Sequence, residues 1–271
     1  MAGAEAEPMS EWLDLCRAAR DDVLGVLAEL PGRAEREPIV GAGEGGDDTT
    51  AIDAASERVI IERLRTRDNL TIVSEEVGVV GDGSVRVVVD PIDGSLNAKR
   101  GIPFFSISLA VADGDTMDDV FFGYVYDFGA GEEWTATRGG GAFLNGAPLR
   151  ERPKDVLEIL SFEATTTEFV AENAARFVGI AERLRVMGSL AITLCHLAAG
   201  RVDGVVSLKP ARSVDIAAAQ LLVREQGLSI ELPDEPPFGS APLDLEGRSR
   251  VVAAGNPELS GVIAAALRRA A

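Results

Sequence analysis

The segment that most constrains this chain is an apolar run, Val87-Val88-Val89, followed at once by Asp90-Pro91-Ile92-Asp93-Gly94-Ser95. The β-branched run reads as a buried strand. Two carboxylates three residues apart then stand at its C-terminal end, and the Gly-Ser pair after them suits a turn or the opening of a helix. Carboxylates so placed suit a hard divalent cation, and the free backbone N–H groups beside them suit a phosphate. An acidic turn alone is common. Its weight here comes from acids elsewhere in the chain.

A chain of 271 residues, 46% apolar, buries one large core or two of ordinary size. It has no apolar stretch of about 18 residues, so no membrane partner is expected. The first residues are acidic and alanine-rich, without the basic and apolar blocks of a secretory leader. Cys16 and Cys195, each inside an apolar helical pattern, read as buried thiols, which points to a cytoplasmic location. One histidine and no C-x-x-C argue against zinc. The net charge of −18 argues against nucleic acid. Of 26 basic residues only Lys99, Lys154 and Lys209 are lysine. Abundant carboxylate with scarce lysine resembles proteins of salt-loving hosts, in which ionic strength screens the self-repulsion. On that reading the near-UV circular dichroism of the fold is lost on transfer from molar to low salt; indifference to salt refutes a halophilic origin.

Ser10-Glu11 opens a first helix that Pro31 stops, and Thr49 or Thr50 caps a second carrying Ile52, Val59, Ile60 and Leu64. Strands are expected at 70–74, 85–90, 104–112, 120–126 and 133–137, with a hairpin at Asn145-Gly146. The second half alternates. Strands at 157–162, 184–187, 202–208 and 251–254 are separated by helices at 168–178, 189–200 and 213–226, and Pro257 opens a last helix. The expected division is an N-terminal α+β domain over 1–152 and a C-terminal α/β domain over 153–271.

Glu75 follows one strand as Asp90 follows another. If the two strands are neighbours in one sheet, Glu75, Asp90 and Asp93 share a pocket, and Asp215, near the start of a helix, faces it from the second half. Like charges this close repel unless cations neutralise them. Mg²⁺ fits best, because it takes oxygen ligands and bridges to substrate phosphate.

Three segments in this order, Ser74-Glu75-Glu76, Asp90-Pro91-Ile92-Asp93-Gly94-Ser95-Leu96-Asn97 and Val214-Asp215-Ile216-Ala217-Ala218, resemble the signatures of the inositol monophosphatase superfamily. Asn97 and Gly101-Ile102-Pro103-Phe104-Phe105 resemble its archaeal branch, whose members act on inositol phosphates and fructose 1,6-bisphosphate. The resemblance implies an α/β (α+β) layered αβαβα sandwich, the sugar phosphatase fold, and a homodimer. It implies two to three Mg²⁺ ions, with Mn²⁺ as a substitute. Glu75, Asp90 and the Ile92 carbonyl would hold the first ion, and Asp90, Asp93 and Asp215 the second. Glu76 and Asp47 would serve a third, although Asp48 stands where archaeal relatives commonly carry lysine. Asp53 would pair with the Ser95 hydroxyl to orient the attacking water, with Asp53, Ser95 and Glu76 as the catalytic set. Asp93, Gly94 and Ser95 would bind the phosphate, and Arg185, Leu190 and Lys209 the rest of the substrate, with Arg212 a further basic candidate.

The implied activity is hydrolysis of sugar phosphate monoesters. Two alternatives remain open at this point: a phosphatase for 3′-phosphoadenosine 5′-phosphate, and a silent regulatory binding protein of the same fold. His196 reads as a core or half-buried residue in a helix. Gly139-Gly140-Gly141 lacks the Lys-Ser/Thr of a phosphate-binding loop and reads as a turn.

Overall fold

The computed structural model describes residues 9–44, 48–163, 166–234 and 237–268, so the expected third-ion ligand Asp47 lies outside the described residues. The chain opens with α1 (Met9–Glu29), the single turn α2 (Arg33–Arg36), the hairpin β1 (Ile39–Ala42) and β2 (Asp48–Thr50), and α3 (Ala51–Leu64). A sheet follows, made of β3 (Leu70–Ser74), β4 (Gly78–Val80), β5 (Val85–Asp93), β6 (Ser106–Ala112), β7 (Val120–Asp127), β8 (Glu132–Thr137), β9 (Gly141–Leu144) and β10 (Ala147–Pro148), with α4 (Ser95–Arg100) after β5. Its order is β10-β9-β8-β7-β6-β5-β3-β4.

The second half contributes β11 (Ile159–Glu163), α5 (Thr167–Ala174), β12 (Arg183–Arg185), α6 (Leu190–Ala198) and β13 (Gly204–Ser207). It continues with α7 (Ser213–Ile216), α8 (Ala219–Glu225), β14 (Ser229–Glu231), β15 (Val252–Ala254) and α9 (Pro257–Arg268). Its sheet has the order β12-β11-β13-β15-β14. The strands of the larger sheet end at Pro148 and those of the smaller begin at Ile159. On that partition we propose the domain division at 152/153, although one apolar core runs across it.

Successive side chains of a strand face opposite ways, and this sorts the core into layers. Val87 and Val89 of β5 pack with Trp12, Cys16, Ile52 and Ile60 of α1 and α3. Val88 packs on the other face with Leu194, Ala217 and Leu222, which also meet Val205 and Ala253 of the smaller sheet. Val206 and Val252 face outward to Phe177 and to Ile263 and Leu267 of α9. The result is helix, sheet, helix, sheet, helix: the αβαβα sandwich. Each of the buried Val, Leu and Ile side chains among these contributes about 1.5–3 kcal/mol.

Two local expectations are corrected, and four short strands are added. The helix expected over 213–226 is split into α7 and α8. At the split Ala218 lies so close to the larger sheet that a Cβ on Gly123 would stand 2.5 Å from its carbonyl oxygen. The strand expected to end at Asp90 runs on to Asp93, with a register shift against β6 between the two acids. Strands β1, β2, β4 and β14 are too short to show a periodicity in sequence.

Candidate active site

Parallel pairing of β3 with β5 sets Ser74 opposite Val89, so Glu75 and Asp90 emerge side by side at the carboxyl ends of neighbouring strands. Asp90 is 2% exposed, and its Oδ1 accepts the Ile92 N–H at 3.1 Å. The irregularity after it re-aims the chain, as such bulges do beside functional sites. Gly94 then takes φ +91°, with the carbonyl oxygens of Gly188 and Phe104 at 2.9 and 3.0 Å from where a Cβ would sit. Only glycine fits this turn. Asn97 of α4 ties it down by donating to the Phe104 and Met187 carbonyls, each at 2.8 Å.

The second half grips Asp93. The Ala191 N–H donates to Asp93 Oδ2 at 2.7 Å and the Leu190 N–H to Oδ1 at 3.3 Å, at the N-terminus of α6; the Ser189 hydroxyl donates as well. The backbone and side-chain donors of a helix start favour the ionised carboxylate. Asp215 is the third residue of α7 and accepts the Arg212 N–H at 2.6 Å. Arg212 is itself buried, and its Nη2 bonds both to Glu75 Oε1 and, at 3.4 Å, to Asp215 Oδ1.

Four carboxylates from β3–β5 and α7 therefore lie within reach of one another's charge, although no three of them bring ligand atoms within 4.8 Å of one another. Burial pushes the Glu75 carboxyl up to about 8, with Asp215 adding to the shift and Arg212 opposing it. Burial raises Asp93 to about 7 against its bonds from Ser189 and Ala191. Asp90 is raised well above the carboxylate range by burial and by its neighbours Glu75, Asp93 and Asp215. These groups oppose full ionisation unless positive charge is supplied.

The next acids lie alongside. Thr49 donates to Glu76 Oε2, and burial raises the Glu76 carboxyl, with Asp53 among the charges that add to it. Asp53 is 4% exposed at the third position of α3 and accepts from the Thr50 hydroxyl and, at 3.3 Å, the Thr50 N–H. The expected Asp53–Ser95 hydrogen bond is not formed. Ser95 instead donates to the Ile92 carbonyl at 2.9 Å, and Thr50 takes the capping role toward Asp53. A capping box satisfies two orphan donors of α3 and so competes for the same carboxylate. Asp53 Oδ1 is left buried without a partner.

Of the expected substrate contacts, Leu190 is buried with its N–H on Asp93, whereas Arg185 is exposed on the edge strand and donates to the Leu184 carbonyl at 2.9 Å. Lys209 is also exposed, and no hydrogen bond or ion pair joins either side chain to the four carboxylates among the described residues. Glu57 and Glu163 were not anticipated. Glu57 Oε1 accepts the Ser74 hydroxyl and the N–H groups of Glu76 and Val77, fixing the turn that carries Glu75. Glu163 does the same for the turn before α6, accepting from Gly188 N–H at 2.8 Å and the Ser161 hydroxyl at 2.7 Å. Neither sits in a motif, and only the acid's placement against an apolar strand or helix face hints at burial.

Two observations fit a divalent cation at this site: the donors are all hard oxygens, and Asp53 Oδ1 is an unused buried acceptor. A separate trio, Asp127, Glu132 and His196, brings ligand atoms within 4.8 Å of one another. Arg201 already neutralises it, pairing both nitrogens with Glu132 at 2.6 Å and lying 3.1 Å from His196 Nε2.

His196 also meets Phe104 edge to face and Trp134 at a tilt, and burial, with Arg201, lowers its pKa from 6.5 to about 4. The folded protein thus holds it neutral while the unfolded chain protonates it. Stability from this group is complete above pH 6.5 and is lost as pH falls to about 4, by about 3 kcal/mol. His196→Gln is expected to flatten the urea-unfolding free energy over this window; an unchanged slope refutes the assignment.

The signature of the inositol monophosphatase family spans residues 13–271. The chain is 33% identical over 245 residues to the fructose-1,6-bisphosphatase/inositol-1-monophosphatase of Archaeoglobus fulgidus, covering 89% of this chain and 92% of that one. It is 37% identical over 191 residues to the Nus factor SuhB of Pasteurella multocida, covering 67% and 70% of the two chains. Its fold superposes on the crystal structure of the MJ0109 gene product, an inositol monophosphatase–fructose 1,6 bisphosphatase, with a TM-score of 0.83 at 27% identity, covering 94% of this chain and 99% of that one. With the layers and the carboxylate pocket already placed, these matches settle the kinship: this chain belongs to the inositol monophosphatase family.

Proposed function

We propose that the chain is a Mg²⁺-dependent phosphoric monoester hydrolase that releases phosphate from fructose 1,6-bisphosphate and myo-inositol 1-phosphate. The observation that carries this reading is the mutual repulsion of Glu75, Asp90, Asp93 and Asp215, brought side by side from both halves of the chain, which calls for added positive charge. Glu75, Asp90 and the Ile92 carbonyl would hold one ion, Asp90, Asp93 and Asp215 another, and Glu76 would serve a third. Bound there, Mg²⁺ makes a water nucleophilic near neutral pH and neutralises phosphoryl charge.

The chain's own groups do the rest. The start of α4 presents the Gly94 and Ser95 backbone to the phosphate, and the αL turn at Gly94 brings that backbone close. Asp53 Oδ1, buried and unpartnered, is the acceptor for the proton of the attacking water. The αL glycines Gly94 and Gly188 and the Asn97 bridge hold the two halves of the pocket in one register. Arg185 and Lys209, both exposed, are free to meet the distal part of a substrate. Homodimer formation and a cytoplasmic location belong to the same proposal; they rest on the resemblance and on two buried free thiols, Cys16 and Cys195.

The test is phosphate release by the purified protein from both compounds, with Mg²⁺, with Mn²⁺ and with chelator. Turnover that stops in chelator and returns with Mg²⁺ is expected. Turnover that ignores the chelator refutes the mechanism. Similarity to a Nus factor favours one second reading, a regulatory binding protein of the same fold. Mg²⁺ binding without hydrolysis of either ester, or of 3′-phosphoadenosine 5′-phosphate, selects it.

A further inference from the structure

Arg212 is the one cationic side chain bonded to the carboxylates of the pocket among the described residues. Its guanidinium is buried, with Nη2 shared between Glu75 Oε1 and Asp215 Oδ1, one from the turn after β3 and one from α7. Its backbone is pinned as well, because its N–H caps onto Asp215 and Ala211 pairs with Ser249. Its second terminal nitrogen, Nη1, is buried with no hydrogen-bond partner. Leaving a guanidinium nitrogen unpaired is costly. What offsets that cost is the like-charge crowding that the guanidinium relieves.

The same oxygens are the ones the proposed function assigns to divalent ions. Four carboxylates facing one guanidinium leave a formal excess of three negative charges, so the pocket still attracts cations. An ion ligated by Glu75 or Asp215 must nevertheless take oxygens that Arg212 holds, and must approach against its charge.

We propose that Arg212 is a resident cation of this pocket, which competes with the divalent ion for Glu75 and Asp215 and so sets the site's metal affinity. It weakens divalent binding by a definite factor and in exchange keeps the crowded carboxylates folded together at low metal concentration. This inference rests on the metal-site reading, which has its own control.

The test is titration of the purified protein with Mg²⁺ by calorimetry and with Mn²⁺ by electron paramagnetic resonance. Arg212→Met removes the charge but keeps apolar bulk; Arg212→Lys keeps the charge without the fork. The Met variant is expected to bind about tenfold more tightly than wild type, and the Lys variant to stay near wild type. By linkage, the thermal midpoint of the Met variant in chelator falls below wild type, and its gain on adding Mg²⁺ is larger. Asp90→Asn identifies the signal as coming from this pocket by abolishing it. If wild type binds and the folded Met variant binds equally or less tightly, the competition is refuted while the metal site stands. Absence of binding by both wild type and the Met variant refutes the two together.

Discussion

Asp90→Asn is expected to lower kcat/KM for either phosphate ester by about a thousandfold or more while raising the thermal midpoint measured in chelator. The two effects have opposite signs for one reason. Asp90 is shared between both proposed ion positions, so losing its carboxylate weakens both and withdraws their positive charge from the phosphoryl group, a change in the range seen for removing electrostatic stabilisation of a transition state. In the absence of divalent ions the same carboxylate is a liability. It is 2% exposed, and burial together with Glu75, Asp93 and Asp215 raises its pKa, so its ionised form works against folding at neutral pH. Asparagine has nearly the same shape, keeps an oxygen for the Ile92 N–H and removes the repulsion. Activity assays and melting curves on one preparation check both signs. Activity within tenfold of wild type ends the assignment of Asp90 as a shared ligand. A lower midpoint in chelator shows instead that the charge is stabilising as it stands, which contradicts the crowding argument.

The legible part of this site was the part carried by short-range pattern. A β-branched run ending in Asp90 and Asp93 announces a strand with acids at its tip, and a second such strand ending before Glu75 makes the parallel neighbour that the register confirms. Pro257 at a helix start and Asn145-Gly146 in a hairpin have local causes and are found as expected, with Asn145 at φ +50° and Gly146 at φ +76°. What sequence could not display is competition among partners. Asp53 accepts from Thr50, three residues before it in the chain, while Ser95 spends its hydroxyl on the Ile92 carbonyl. Arg212 reads as a basic residue near a helix, yet only the fold brings its guanidinium across to Glu75, 137 residues away. Glu163 looks like the end of an apolar strand with a charge to leave in water, and is instead wholly buried.

Glu163→Ala is expected to be the most damaging substitution outside the carboxylate pocket, destabilising the fold by about 3–5 kcal/mol. Glu163 closes β11 at zero exposure, and burial raises its carboxyl. Its Oε2 accepts the Gly188 N–H at 2.8 Å, and its Oε1 accepts the Ser161 hydroxyl at 2.7 Å and the Met187 N–H at 3.3 Å. Thr193 Oγ1 lies 3.0 Å from Oε1 and 2.7 Å from the Ser189 carbonyl, completing a ring around the turn. Alanine leaves the Gly188 and Met187 N–H groups without this acceptor, each at a cost of about 1–3 kcal/mol, while Thr193 keeps the Ser189 carbonyl and Ser161 the Arg185 carbonyl at 3.4 Å. The turn they fix is the one that delivers Ser189, Leu190 and Ala191 to Asp93, so a looser turn mis-sets a proposed ion ligand without touching it. The expected loss in kcat is about tenfold to a hundredfold, with KM changed much less. Glu163→Gln separates the two consequences: it keeps one acceptor oxygen, fills the same volume, and should fall between wild type and the alanine variant in both midpoint and kcat. A glutamine variant equal to wild type in kcat, beside an alanine variant that merely melts earlier, would mean that packing rather than the hydrogen-bonded ring holds the turn against Asp93.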